Sequence, residues 1–234
     1  MSGSLANAAE ETLAWAAERF APRISLATGF GAEGCVLVEM IGRRRLPIDV
    51  FTLDTGLLFP ETYLLWRELE SRYGVSIRAV RPAETVFEQE SSQGPRLWER
   101  NPDLCCERRK LAPLRGELAK LDAWVTGIRR DQTADRATAA AVELDARFGL
   151  TKVNPLVEWS KDDVFRYARE RGVPTSPLYE QGFASIGCVP CTSRVAADES
   201  ERAGRWRGFT KTECGLHSRR PETNRKEPER VATR

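Results

Sequence analysis

Six cysteines stand in a chain of 234 residues, and four of them fall in two close pairs. Cys105 and Cys106 are adjacent in "NPDLCCERRK" over 101–110. A disulfide between them would need a separation and dihedral that neighbouring residues supply only under strain. Cys188 and Cys191 form "CVPC". Four thiolates around one centre mean zinc or an iron–sulfur cluster. A C-x-x-C pair is ordinary for either, but the adjacent pair favours a cluster. One tetrahedral zinc usually takes ligands two to four residues apart, whereas a cluster offers separate irons to neighbouring side chains. Flanks such as "ERRK" are poor surroundings for cysteines acting as small buried hydrophobes. That role suits Cys35, in the apolar run "EGCVLVEM". Cys214 stands apart in "TKTECGLHSRR" over 210–220, near Lys211 and three residues before His217, the only histidine. Cationic neighbours raise a thiol's thiolate fraction, so Cys214 is a candidate nucleophile on a segment able to close over a ligand.

Two glycine-containing loops and three basic clusters complete the candidate set. "TGFGAEG" over 28–34 has small residues that let backbone N–H groups and a helix N-terminus approach a phosphate or sulfate. It has neither the Rossmann spacing nor the terminal lysine of a Walker A loop, and a tight turn without a ligand would use the same glycines. Asp54, Thr55 and Gly56 in "TLDTGLLFPETY" stand where an acid and a hydroxyl could meet a ribose, or could cap the helix that follows. Basic residues gather at Lys110, in "GIRRDQTADR" over 127–136 and in "ERAGRWRGF" over 201–209. Arginine forks suit sulfate and phosphate oxygens, although a solvated face is their commoner use.

Alternating strand-like and helical stretches must hold these loops in place. "ISLAT" (24–28), "IDVFTLD" (48–54), "VSIRAV" (75–80), "AWVTGI" (123–128) and "TKVNPL" (151–156) read as strands. Helical patterns fall near 33–44, 60–73, 107–120, 135–147 and 160–171, the last opened by Ser160 with Asp163 and stopped by Gly172 and Pro174. The alternation implies an α/β fold, a mostly parallel sheet with helices on both faces and ligands at the carboxyl ends of its strands. The alternation stops near residue 175, which predicts one α/β domain over 1–217 whose segment 175–217 is loop-rich and bears cysteines. A polar, basic tail over 218–234 is expected to be disordered.

Composition limits the partners. Lys and Arg number 36 against 34 Asp and Glu, so no general nucleic-acid or membrane surface is expected. The N-terminal stretch lacks the basic lead and apolar core of a signal peptide, and no run approaches 18 apolar residues. A cytoplasmic protein is the expectation, and its cysteines are then ligands, nucleophiles or core residues rather than disulfides.

Taken together, "TGFGAEG", "LDTGLLFPET", "CCERRK", "VTGIRRDQ", "CVPC" and "KTECGLH" follow one another in the order of a known family. The chain resembles the assimilatory adenylyl-sulfate (APS) reductases, the iron–sulfur branch of the PAPS/APS reductase family, within the adenine-nucleotide α-hydrolase-like, PP-loop-related fold. The resemblance implies thioredoxin-dependent reduction of adenylyl sulfate to sulfite and AMP in sulfate assimilation and cysteine biosynthesis. Cys214 would be the nucleophile, passing through an S-sulfocysteine. Cys105, Cys106, Cys188 and Cys191 would ligate one 4Fe-4S cluster per chain, with Lys110 between cluster and substrate. Thr28, Gly29, Phe30, Gly31 and Glu33 would form the phosphate-binding loop. Asp54, Thr55 and Gly56 would lie by the adenosine, with Gly127 and Arg136 in the next loop and Arg202 and Arg205 before the nucleophile. Implied partners are adenylyl sulfate and thioredoxin or a similar dithiol, with homo-oligomerisation open. Alternatives are PAPS reduction, a PP-loop ATP pyrophosphatase such as a tRNA-thiolating enzyme, which would carry an "SGGxDS" loop, and a zinc-binding module.

Overall fold

The computed structural model describes residues 2–211 and 213–215. His217 and the tail expected from Ser218 lie outside the described residues. Six strands make one sheet: β1 (Ile24–Thr28), β2 (Asp49–Leu53), β3 (Ile77–Val80), β4 (Ala123–Val125), β5 (Val142–Asp145) and β6 (Leu150–Val153). Their order is β3-β2-β1-β4-β6-β5, parallel except for β5, which runs antiparallel to β6. The chain builds outward from β1 to β3 and then returns to place β4 on the other side of β1. The point where the order reverses is the β1/β4 boundary, where Ile24 pairs with Ala123 and Leu26 with Val125. Crevices at the carboxyl ends of open parallel sheets form at such a reversal.

Side chains alternate across the sheet with period two, and both faces are covered. Ile24, Leu26, Val50, Ala123, Val125 and Val153 face one core with α1 (Ser2–Phe20), α2 (Ala32–Arg44), α3 (Pro60–Tyr73) and α8 (Lys161–Arg171). Phe51, Trp124 and Leu150 face the other, against Leu114 and Leu118 of α7 (Ala112–Leu118). Each fully buried leucine or phenylalanine contributes roughly 1.5–3 kcal/mol relative to exposure, so these faces fix the register. Ser160 and Asp163 cap α8 reciprocally and Gly172 closes it at φ +62, as its sequence predicts.

Two expectations are corrected. The stretch 135–147 holds no long helix: a 3-10 turn at Ala134–Arg136 is followed by β5, which pairs with β6 through a turn closed by Gly149 at φ +72. Period-two pairing of Val142–Asp145 with β6 overrides the helix propensity of the alanines on either side. The expected helix over 107–120 is interrupted. A π-helical turn, Glu107–Leu111, precedes α7, and the Ala112 N–H reaches back to the Glu107 carbonyl. Pro113, in the first turn of α7, has no N–H, and its ring would clash with the Arg109 carbonyl of a continuous helix, a conflict the wider turn relieves. Three short helices not expected from the sequence, α4 (Val86–Gln93), α5 (Leu97–Arg100) and α6 (Pro102–Cys106), carry the chain to the cysteine pair. Among the described residues no helix is long and apolar enough to cross a membrane.

Candidate active site

The carboxyl ends of β1 and β4 open into two adjoining cavities of about 200 and 190 Å³, both bordered by Ala27, Thr28 and Gly29. After β1 the chain turns through Phe30 at φ +59 into α2, whose N-cap Gly31 offers no side-chain cap. The Phe30 N–H donates to Thr28 Oγ1 at 3.1 Å, and the ring leaves the site to stack on Trp66 in the core. The first N–H of α2, on Ala32, donates to Tyr179 Oη at 3.0 Å. Gly127, after β4, lets the two loops approach, because a Cβ there would sit 2.9 Å from that of Glu33. Glu33 is held by Arg129, whose side chain is 1 % exposed, and accepts from Gln132 Nε2 at 3.0 Å. A helix N-terminus whose N-cap residue supplies no side chain, beside buried arginines, is suited to an anion.

Arg136, Arg202 and Arg205 line both cavities, and Lys110 and Cys214 line the first. Thr28, Gly29, Gly31, Glu33, Lys110, Gly127, Arg136, Arg202, Arg205 and Cys214 are thus brought together at the sheet's reversal point. Asp54, Thr55 and Gly56 lie outside this lining. Asp54 accepts from Tyr63 Oη at 2.7 Å, from the Gly56 N–H and from Arg81 Nε. Burial pushes its carboxyl up, but those three donors outweigh it and hold the acid below its ordinary value. Thr55 Oγ1 lies 3.3 Å from Cys188 Sγ, so this loop meets the cysteines.

Cys105, Cys106 and Cys188 are buried and Cys191 is half-buried, all with free thiols. Burial pushes the Cys105 thiol up to about 11, with Cys188 and Cys191 adding to it. Burial likewise takes Cys106 to about 12 against the pull of Lys110 and Lys211. Cys191 is raised by burial and then by Cys188. The four sulfurs therefore share one neighbourhood in which thiolates repel, and a bound cationic centre is what would relieve them. Among the described residues no three such donors converge on the position of a single metal ion. Lys110 is pulled down by burial, but the Cys188, Cys214 and Cys106 thiolates outweigh it and raise the ammonium above its ordinary value. Lys110 thus feels both the paired cysteines and Cys214. Cys35 is buried in the core, pushed up to about 12 by desolvation, as its apolar helix predicts.

The sequence matches the Phosphoadenosine phosphosulfate reductase domain over residues 23–194. The chain belongs to that family. The reductase-domain match takes in the Thr28 loop and both cysteine pairs and ends before Arg202 and Cys214. A protein named adenosine 5′-phosphosulfate reductase from Oceanobacillus iheyensis is 42% identical over 213 residues, covering 91% of this chain and 89% of that one. Within the reductase-domain family, the phosphoadenylyl-sulfate (PAPS) reductase of Candida auris, solved as a phosphate complex, superposes with a TM-score of 0.70 at 31% identity. That match covers 83% of this chain and 96% of that one. The FMN adenylyltransferase of Candida glabrata, solved with FAD and pyrophosphate, shares the fold alone. Its TM-score is 0.58 at 16% identity, over 85% of this chain and 68% of that one.

Four further residues shape the reductase-domain site without having been singled out in the sequence. Arg109, buried, donates to the Thr55 carbonyl at 2.6 Å and to Gln89 Oε1 at 3.2 Å, binding the 54–56 loop to α4. Trp206, at φ +48, packs on Cys106 and Cys214 and carries the Arg205 guanidinium 4.6 Å above its ring. Tyr179 meets the α2 N-terminus, and Glu213 bridges two of the arginines. The signal for Glu213 and Trp206 was adjacency, to Cys214 and to Arg205; Arg109 and Tyr179 gave none that separates them from surface residues.

Proposed function

We propose that the protein reduces adenylyl sulfate to sulfite and AMP, with a thioredoxin-type dithiol as reductant. The observation that carries this reading is a single cavity whose lining joins Cys214 to Lys110, Arg136, Arg202, Arg205 and the carboxyl end of β1. The Cys214 thiolate attacks the sulfate sulfur. An S–S bond forms, the S–O bond to the bridging oxygen breaks, and the electron pair leaves on the phosphate oxygen of AMP. Lys110 and the three arginines offset charge on the oxygens as that bond breaks. The reduced dithiol then attacks Cys214 Sγ. Sulfite departs with the electron pair of the S–S bond, and the second thiol of the reductant displaces Cys214 as thiolate, leaving the reductant as a disulfide.

The donor set Cys105, Cys106, Cys188 and Cys191 suits a 4Fe-4S cluster, one per chain, because thiolates are the donors such clusters take and these buried thiols raise one another. When bound, such a cluster supplies fixed charge and cross-linking beside Lys110 rather than the electrons of turnover. Reduction of a 3′-phosphorylated substrate is the second reading, supported by the name of the matching domain. The four thiols and the greater identity to the relative named for adenosine 5′-phosphosulfate favour the first.

Anaerobic purification, iron and sulfide analysis, and sulfite release from both nucleotides with a dithiol reductant test these statements. Cys214→Ser is expected to lower sulfite release by at least about 10⁴-fold while AMP still binds. Sulfite release that survives this substitution would refute the mechanism, and iron-free protein of full activity would refute the cluster.

A further inference from the structure

The residue preceding the nucleophile is tied to arginines that line the cleft. Glu213 Oε2 accepts from Arg136 Nη2 and Arg202 Nη2, each at 3.1 Å, and Oε1 lies 3.0 Å from Arg136 Nη2. The Glu213 side chain is only 7 % exposed, so salt screens this contact weakly. Around Cys214 the cavity presents Lys110, Arg136, Arg202 and Arg205 against the single carboxylate of Glu213, an excess of three positive charges. A cysteine thiolate plus one anionic phosphate and one anionic sulfate would neutralise that excess, so Glu213 belongs to the charge count of the loaded site. It need not leave when substrate enters: Arg136 Nε is buried without an acceptor among the described residues, so Arg136 keeps hydrogen-bonding capacity beyond its tie to Glu213.

We propose that Glu213 is a positioning residue whose bridge to Arg136 and Arg202 aligns Cys214 with the substrate's sulfur, at some cost in nucleotide affinity because it shares those arginines with the incoming anion. The inference rests on the reductase reading. Its geometric content is that the arginines which bind the anion also align the nucleophile, so closure of the cysteine segment and occupancy of the anion site are coupled. Two other ties flank Cys214: Lys211 pairs with Asp103, and Arg147 donates to the Gly215 carbonyl. Removing the charge of Glu213 therefore leaves the segment docked and its alignment altered.

Two measurements on Glu213→Gln separate alignment from mere structural support. Single-turnover formation of the S-sulfonate on Cys214, with adenylyl sulfate and no reductant, should slow by about 10²-fold, the loss expected for a misplacement near 1 Å. AMP affinity by calorimetric titration should rise by roughly 3- to 10-fold, because the arginines lose an internal competitor. Glu213→Asp, which keeps the charge on a shorter arm, should restore wild-type AMP affinity and recover only part of the rate. Sulfonation within threefold of wild type in Glu213→Gln overturns the inference, as does a parallel loss of rate and AMP affinity. Absence of adduct on wild-type Cys214 overturns the reductase reading and this inference with it. An adduct on wild type that forms equally fast in the variant overturns the inference alone.

Discussion

The two halves of the cleft are held by different forces. At the half proposed to take the nucleotide, Thr28 ends β1 and Gly127 follows β4, strands that sit inside the sheet, with the buried side chains of β1, β4 and α2 behind them. At the sulfur half, from Cys188 to Gly215, the described backbone joins no strand of the sheet and is held by isolated bridges, Leu58 to Cys188 and Thr192 to Arg205, and by loop hydrogen bonds such as that of the Val195 N–H to the Gly182 carbonyl. Its apolar centre is small, Cys106, Trp206 and Cys214 with Cys191 and Phe209 against them. Charge does the rest, through Lys211–Asp103, Glu213 with Arg136 and Arg202, and Arg205 over Trp206. A binding surface built from sheet backbone fails only when the domain unfolds, whereas one built from ion pairs and thiols can open by itself. That division suits the proposed reaction, in which Cys214 first meets the nucleotide's sulfate and is then offered to a dithiol reductant.

The largest effect that tests this contrast is expected in the core. Leu26→Ala, beneath the Thr28 loop in a fully buried position, should cost about 2–5 kcal/mol of global stability. Denaturant melts followed by tryptophan fluorescence, with AMP binding on the surviving folded fraction, should show the nucleotide half lost together with the core and the sulfur half lost no later. If the cysteine segment stayed folded after the core had melted, the halves would be independent domains and the comparison as drawn would fail.

A smaller effect should be confined to the sulfur half. Asp103→Asn leaves Lys211, 4 % exposed in its side chain, without its carboxylate. Losing a partner of a mostly buried charge costs roughly 1–3 kcal/mol, here in docking of the segment rather than in folding. Sulfonation of Cys214 should slow by about tenfold with AMP affinity within twofold of wild type, and limited proteolysis should cut sooner between 194 and 211. An AMP affinity that fell with the rate would show that the nucleotide half depends on the segment.

The same contrast explains what the sequence disclosed. "ISLAT" coincides with β1 residue for residue because a central strand buried on both faces must be a short apolar run. The stretch 135–147 was misread because β5 is an edge strand with its apolar side chains outward. Val142 is 40 % and Leu144 72 % exposed, so alternation there reported no core, and the alanines beside it suggested a helix. The cysteines could be singled out because metal-ligand and nucleophile chemistry is written in residue type and spacing, and the fold gathers Cys106, Cys191 and Cys214 around Trp206. Glu213 was less legible: adjacency to Cys214 pointed at it, but its bridge exists only once folding brings Arg136, 77 residues away, to it beside Arg202. Asp54 to Gly56 show what a strand end leaves open: its position suggests nucleotide contact, while the Asp54 and Thr55 side chains turn to Tyr63, Arg81 and Cys188.

The smallest effect belongs to Tyr179, and it asks which half that residue serves. Its Oη accepts the Ala32 N–H at 3.0 Å, it lines the cavity shared with Gly31 and Gly127, and burial holds the phenol well above its ordinary pKa, so it stays protonated. Among the described residues its hydroxyl proton has no acceptor, which leaves it to donate to an anion that enters at the α2 N-terminus. Tyr179→Phe removes both the acceptor for Ala32 and that donor while conserving the ring against Phe165. A neutral hydrogen bond of this kind contributes about 0.5–1.5 kcal/mol, so AMP affinity should fall by roughly 2- to 12-fold. Sulfonation at saturating adenylyl sulfate should stay within twofold, since nothing that holds Cys214 passes through the phenol. A slower sulfonation with unchanged AMP affinity would place Tyr179 with the charges that position the nucleophile, and the boundary between the halves would then run through the α2 N-terminus itself.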